Sequence, residues 1–137
     1  MQKSPGLTAQ SHQKTVLVVE GDARILELVS EVMRDGNYKV LTASSGSLAL
    51  EESRNYKGEI DLLLSDFQMA AMSGIDLATQ MTIDRPALEV LLMSDFPHGM
   101  LVLNEGWHFL AKPFVPSQLR TLISGLVSPH KASRFSK

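Results

Sequence analysis

The sequence predicts an α/β fold in which a doubly wound, five-stranded parallel sheet carries helices on both faces. Short apolar runs alternate along the chain with stretches of helical periodicity, as in strand–helix–strand units with right-handed crossovers. The first run, "TVLVVE" from Thr15 to Glu20, is continuous and rich in valine. Such a run is typical of a strand that is buried on both faces.

The first predicted strand leads directly into a helix. Asp22 stands at the N-cap position, where a carboxylate accepts hydrogen bonds from the first helical turn. One face of the helix is apolar and consists of Ile25, Leu26, Val29, Val32 and Met33. A polar stretch with a central glycine, Asp35–Asn37, is expected to end this helix.

The rest of the chain continues the alternation. Its predicted strands are "YKVLTA", "EIDLLLS", "ALEVLLMS" and "HFLA". Its predicted helices cover Ser45–Tyr56, Gly74–Ile83, a short stretch at about 97–105, and Ser117–Val127. In the second helix, Leu48 and Leu50 are expected to face the interior. One domain at 15–127 is expected between a flexible leader, 1–14, and a flexible basic tail, 128–137.

Composition narrows the class of protein. The chain of 137 residues is long enough for one domain with a single filled core. A net charge of -2 gives no reason to expect nucleic acid or an anionic membrane as a partner. Because the chain has no cysteine, thiolate catalysis and disulfides are excluded, and a reducing cytoplasm is the expected location. No apolar run is long enough to span a membrane.

Chemistry-bearing residues follow the predicted strands. In an open parallel sheet, ligands bind at the carboxyl ends of the strands. The residues at these ends are Glu20, Gly21 and Asp22; Ala43 and Ser44; Asp66; Ser94 and Asp95; and Lys112. A carboxylate such as Asp66 can act as a nucleophile toward a phosphoryl group. Neighbouring acids would bind Mg²⁺ through hard oxygen ligands, while Lys112 and Ser94 could contact phosphoryl oxygens.

These motifs resemble the receiver domains of response regulators in two-component signalling, of the single-domain chemotaxis type. The resemblance covers about 15–127 and rests on "VLVVEGD", "DLLLSDFQMAAMSG", "VLLMSD" and "FLAKPF". It implies a flavodoxin-like (βα)5 fold in a signalling protein that is not an enzyme, apart from slow self-dephosphorylation. A histidine kinase or phosphotransfer protein would be its phosphodonor, and an output protein that the sequence does not identify would be its target.

The resemblance also assigns roles to residues. Asp66 falls on the phospho-accepting aspartate, and Glu20, Asp66 and the backbone carbonyl of Gln68 on the Mg²⁺ ligands. Ser94 and Lys112 fall on the residues that recognise the phosphoryl group, and Phe109 on an aromatic switch residue.

Two positions depart from the family pattern. Gly21 stands where the family has a second acid that binds metal directly, so Mg²⁺ is expected to bind weakly. Asp95 follows Ser94 where a small residue is usual. Its carboxylate would crowd the pocket, repel a phosphoryl group or restore a charge for the metal. Asp22 is expected to cap its helix rather than replace the missing ligand.

Three functions remain open at this point. The first is a phospho-accepting receiver that switches protein–protein interaction. The second is a degenerate pseudo-receiver that binds proteins without phosphorylation, as a result of Gly21 and Asp95. The third, an aspartate-nucleophile phosphohydrolase, is disfavoured because Gln68 stands where such an enzyme needs a second acid.

Overall fold

A single five-stranded parallel sheet organises the described part of the molecule. The computed structural model describes residues 13–95 and 106–128. The strands are β1 (Thr15–Val19), β2 (Lys39–Ala43), β3 (Leu62–Asp66), β4 (Glu89–Ser94) and β5 (His108–Ala111). The helices are α1 (Ala23–Asp35), α2 (Gly46–Asn55), α3 (Gly74–Asp84) and α4 (Pro116–Leu126). The strand order is β2-β1-β3-β4-β5, which confirms the predicted doubly wound sheet.

Some predictions fall outside the described residues. These are the short helix at 97–105, residues 1–12 of the leader and residues 129–137 of the tail. None of the described helices has the length and apolarity that crossing a bilayer requires.

The sheet divides the core into two apolar layers. Side chains of β1 alternate between them, with Val16 and Val18 packed toward α1 and α4, and Leu17 and Val19 packed toward α2 and α3. All four are fully buried, as the alternating geometry of a strand covered on both faces requires. Burial of each such side chain stabilises the fold by roughly 1.5–3 kcal/mol.

The ends of α1 agree with the sequence prediction. The Asp22 carboxylate accepts hydrogen bonds from the backbone N–H groups of Arg24 and Ile25, at 2.9 and 3.4 Å. Gly36 closes the other end, and Asn37 follows it in a left-handed conformation with φ of 74°. Asparagine tolerates this conformation better than most residues, so the chain reverses directly into β2.

The prediction for α2 is wrong at one residue. Leu50 is buried as expected, but Leu48 is 49% exposed. Two residues that are two positions apart lie about 200° apart around a helix. Leu48 and Leu50 therefore cannot both face the core, and the core-facing side of α2 instead carries Ala49, Leu50 and Ser53.

Hydrogen bonds from two long side chains, Arg85 and Tyr38, stabilise the end of the sheet at which the strands begin. Glu20, Asp66 and Lys112 lie at the opposite end, where the strands finish. Arg85, which follows α3, donates to the Ser53 hydroxyl and to the carbonyls of Ser53, Tyr56 and Gly58, at 2.9–3.1 Å. We call this arrangement the Arg85 clip. The buried Tyr38 hydroxyl donates to the carbonyl of Val127 at 2.5 Å, which ties the end of α4 to the start of β2.

Candidate functional site

Side chains from three strand ends converge at the carboxyl-terminal edge of the sheet. Glu20 follows β1, Asp66 ends β3 and Lys112 follows β5. The Lys112 ammonium nitrogen lies 2.9 Å from Asp66 Oδ1 and 3.4 Å from Glu20 Oε1. These three residues, predicted from separate motifs, therefore form one ion-paired cluster.

Burial strengthens the ion pairs of this cluster. The Lys112 and Asp66 side chains are only 15% and 16% exposed, and Glu20 is buried. Burial lowers the pKa of Lys112, but hydrogen bonding and charge attraction from Asp66 and Glu20 outweigh it and raise that pKa above its usual value. Lys112 is therefore charged at neutral pH and offers a cation beside the Asp66 oxygen.

Asp22 serves its helix rather than the cluster. Its Oδ1 atom accepts the capping hydrogen bonds of α1 and lies 3.9 Å from the Nε atom of Arg24. Its backbone N–H donates to Glu20 Oε2 at 3.1 Å. One Glu20 oxygen is thus held by Lys112 and the other by the backbone, an orientation that the sequence pattern did not reveal.

Gly21 lies on the surface beside the cluster. A Cβ atom built at this position would have no neighbour closer than the Ser44 carbonyl oxygen, at 3.9 Å. The residue borders a cleft of about 310 Å³ that is lined by Glu20, Gly21, Asp22, Ser44, Ser45, Asp66, Gln68, Met69 and Ala70. We call it the acidic cleft. Space for a longer side chain therefore exists where the sequence has glycine.

The loop after Asp66 is fixed by close backbone contacts. The Gly74 N–H donates to the Phe67 carbonyl at 2.8 Å, and a Cβ atom on Gly74 would collide with the carbonyl oxygen of Asp66. Within the loop, Ala71 has φ of 70°, and the Met72 N–H donates to the Ala70 carbonyl at 2.7 Å. This i→i+2 bond around a left-handed residue is a γ-turn of the rare, strained kind.

The remaining predicted residues lie around the same edge. Ser94 ends β4, is 3% exposed, and its carbonyl accepts the Lys112 N–H at 2.7 Å. Gln68 is exposed and lines the acidic cleft. Asp95 is exposed and does not line that cleft. Phe109 is half-buried on β5, opposite Leu92.

Sequence reasoning missed three residues that line the acidic cleft, Ser45, Met69 and Ala70. The Ser45 hydroxyl accepts the Leu48 N–H at 3.2 Å and so caps α2. Its position directly after Ser44 at a strand end was the available signal. Met69 carried no comparable signal, because a methionine in a loop is usually read as packing.

Comparison with known proteins identifies the family to which this chain belongs. A family model described as the response regulator receiver domain matches residues 16–124. The chain belongs to this family. Its relatives include two-component response regulator ARR14 of Arabidopsis thaliana, 30% identical over 111 residues, which cover 78% of this chain and 29% of that protein. Sensor kinase CckA of Brucella abortus is 28% identical over 124 residues, 88% of this chain and 13% of that protein.

Solved receiver domains share the fold. The receiver domain of the hybrid histidine kinase CckA superposes with a TM-score of 0.74 at 26% identity, over 82% of this chain and 98% of that chain. The present receiver chain spans between 13% and 36% of the length of the curated relatives that it matches. Those relatives are therefore longer than this chain, which matches only a part of each.

Receiver domains generally bind Mg²⁺ at the phosphorylation site, and this ion prefers hard oxygen ligands. Within residues 13–95 and 106–128, no group of three or more His, Cys, Asp and Glu side chains is placed to hold a metal. Glu20 and Asp66 still provide two hard carboxylates beside an open cleft. Because Mg²⁺ is commonly bound through one or two carboxylates and keeps several waters, these residues fit a hydrated ion.

Proposed function

We propose that this receiver domain accepts a phosphoryl group on Asp66 from a histidine kinase or phosphotransfer protein and thereby switches its interaction with an output protein. The observation that carries the proposal is the Lys112 ammonium nitrogen, 2.9 Å from Asp66 Oδ1 at the edge of the sheet. A charged lysine at this place is suited to neutralise phosphoryl oxygens as they arrive.

The transfer exchanges one bond to phosphorus for another. An Asp66 carboxylate oxygen attacks phosphorus, and the phosphorus–nitrogen bond of the donor's phosphohistidine breaks. The electron pair of that bond stays with the imidazole, which takes up a proton on leaving. Lys112 balances charge on the phosphoryl oxygens, and the Ser94 hydroxyl at the neighbouring strand end is proposed to donate a hydrogen bond to one of them.

Glu20, Asp66 and the Gln68 carbonyl are the residues proposed to hold Mg²⁺, which when bound neutralises charge on the phosphoryl oxygens. Gly21 contributes no carboxylate there, so binding is proposed to be weak. The Glu20 side chain is oriented by contacts within the protein. Lys112 pairs with one of its oxygens at 3.4 Å, and the Asp22 N–H donates to the other.

Phosphorylation is proposed to act as a population shift. The aspartyl phosphate must favour one of two conformations through contacts that differ between them. Lys112 and Ser94 would make these contacts, and Phe109 together with the loop after Asp66 would repack. In this role the protein signals rather than turning over a substrate. Absence of cysteine agrees with a cytoplasmic setting.

A degenerate pseudo-receiver is the second candidate. The sequence leaves it open because of Gly21 and Asp95, and the comparisons with known proteins do not favour it over a phospho-accepting receiver. In that case the domain would bind its partner without phosphorylation.

Mass spectrometry after incubation with a small phosphodonor and millimolar Mg²⁺ tests the proposal. A phosphoryl adduct of about 80 Da is expected in wild type and absent in Asp66→Asn, because an amide cannot act as the carboxylate nucleophile. Beryllofluoride should change the fluorescence of the partly buried Trp107 in wild type alone. Absence of the adduct, with Asp66→Asn and wild type giving the same fluorescence, would support the pseudo-receiver instead.

A further inference from the structure

A groove separate from the Lys112 cluster runs between α2 and the edge strand β2. It has a volume of about 430 Å³, and its lining includes Leu26, Thr42, Leu48, Glu51, Glu52 and Asn55. We call it the α2–β2 groove. Residues 48, 51, 52 and 55 lie on one face of α2, since neighbours on a helix surface are three or four positions apart. Strand β2 is the first in the sheet order, so one of its edges pairs with no other strand of the described residues.

The α2–β2 groove combines apolar and acidic character. Leu48 is 49% exposed within it, and Glu51 and Glu52 are exposed. Neither glutamate forms an ion pair with another residue of the described chain. None of the described residues that line the groove is a lysine or an arginine. Charge complementarity therefore favours an occupant with cationic side chains and at least one large apolar side chain.

The end of the described chain lies near the start of the strand that borders the groove. Val127 is anchored at the start of β2 by the hydrogen bond from Tyr38, and Thr42 lies four residues further along that strand. At about 3.3 Å per strand residue, this distance is roughly 13 Å. Residues 128–137 can span up to about 33 Å when extended, so they have enough length to follow β2 into the groove.

The composition of that segment matches the groove. Residues 128–137 read "SPHKASRFSK" and include Lys131, Arg134, Phe135 and Lys137. We infer that the segment 129–137 docks in the α2–β2 groove of its own chain, with Phe135 against Leu48 and the cationic side chains beside Glu51 and Glu52. Ser44 lines both this groove and the acidic cleft, so the docked segment lies next to the entrance of that cleft.

Carbodiimide cross-linking tests the docking directly, because the reagent joins a carboxylate to an amine that touches it. The reaction is carried out on the full chain, as an equal mixture of ¹⁴N- and ¹⁵N-labelled protein, followed by peptide mass spectrometry. The expected products are intramolecular links from Glu51 or Glu52 to Lys131 or Lys137. High salt is expected to reduce their yield, since the attraction between exposed charges is screened.

Glu27 and Glu31 provide the matched control, because both are exposed on α1. The double variant Glu51→Gln/Glu52→Gln should lose the tail links, and Glu27→Gln/Glu31→Gln should retain them. A second measurement follows the Leu48 methyl resonances, which should shift when the chain is ended at Ser128. Absence of links, links spread equally over all four glutamates, or links between ¹⁴N and ¹⁵N chains would overturn the inference, the last by showing that a second copy occupies the groove.

Discussion

At the scale of single residues, Gly21 limits the number of carboxylates beside Lys112, because glycine has no side chain. Lys112 faces two carboxylates in this chain, and the added Cβ atom that would carry a third has open space around it. A substitution that restores the acid should therefore act on metal binding without disturbing the backbone.

Gly21→Asp is expected to raise the affinity for Mg²⁺ by roughly tenfold, because affinity for a hard cation follows the number of charged ligands. Isothermal titration calorimetry measures this without requiring phosphorylation. Gly21→Asn is the control, with the same size and no charge. Unchanged affinity in Gly21→Asp would mean that Asp22 or Asp95 already supplies the missing charge, or that the cleft does not admit the ion.

Gly74 closes the loop that follows Asp66, and the backbone there leaves no room for a side chain. Gly74→Ala should lower the free energy of unfolding by about 1–3 kcal/mol or more, because the new methyl group collides with the Asp66 carbonyl. Gly125→Ala is the control: a Cβ atom there meets no neighbour, and alanine favours the helix by roughly 0.5–1 kcal/mol. Urea unfolding of both variants measures the difference. Equal stability of Gly74→Ala and wild type would show that the loop relaxes around the methyl group.

At the scale of elements, the cap of α3 joins this helix to the loop between Asp66 and Gly74. The Ser73 hydroxyl accepts the Asp76 N–H at 3.1 Å, and the Asp76 carboxylate accepts the Ser73 N–H at 3.4 Å. Ser73 also directly precedes Gly74, the residue that closes the loop. Loss of this reciprocal cap should therefore loosen both the helix start and the loop.

Ser73→Ala is expected to destabilise the protein by about 0.5–2 kcal/mol and to speed amide hydrogen exchange in residues 70–76. The control, Ser47→Ala, removes an exposed serine hydroxyl within α2 and should change stability by less than about 0.5 kcal/mol. If both variants exchange at the wild-type rate in this segment, the cap does not hold the loop.

The strands and helices could be predicted from the sequence where a local pattern of residues was enough to specify them. The valine-rich run of β1 and the Asp22 cap follow from local chemistry, and the meeting of Glu20, Asp66 and Lys112 follows from the common direction of parallel strands. The inward placement of Leu48 was wrong because an apolar side chain does not by itself tell which face of a helix is buried. Long-range hydrogen bonds, such as that from Tyr38 to Val127, produce no periodic pattern in the sequence, so they could not be predicted.

At the scale of the whole molecule, two groups lower stability at alkaline pH, whereas hydrogen bonding with Lys39 lowers the pKa of Tyr56 and gives that group the opposite effect. Burial raises the pKa of Tyr38 to about 12, from 10.0, and the pKa of Lys112 is also raised above its usual value of 10.5. In each case the unfolded chain releases its proton at lower pH than the folded chain. The stability that Tyr38 and Lys112 contribute is therefore full below about pH 10 and falls as the pH rises through their folded pKa values.

Tyr38→Phe should flatten this loss, because phenylalanine has no proton to release. At pH 7 the variant should be less stable by about 1 kcal/mol, since the Val127 carbonyl loses its hydrogen bond. Between pH 10 and 12, wild type should lose up to ~3 kcal/mol more than the variant. Urea unfolding across pH 7 to 11.5 measures both curves. Parallel curves would show that Tyr38 ionises normally in the folded protein.

The Arg85 clip also bears on how this chain can diverge. Its hydrogen bonds to Ser53, Tyr56 and Gly58 lie at the opposite end of the sheet from the acidic cleft. A change in the loops around the cleft therefore leaves the clip intact. Substitutions at the cleft and substitutions at the clip therefore act on opposite ends of the sheet. The same separation suits the domain to loop grafting. New residues can be introduced in the loops around the cleft while the Arg85 clip stabilises the opposite end of the sheet.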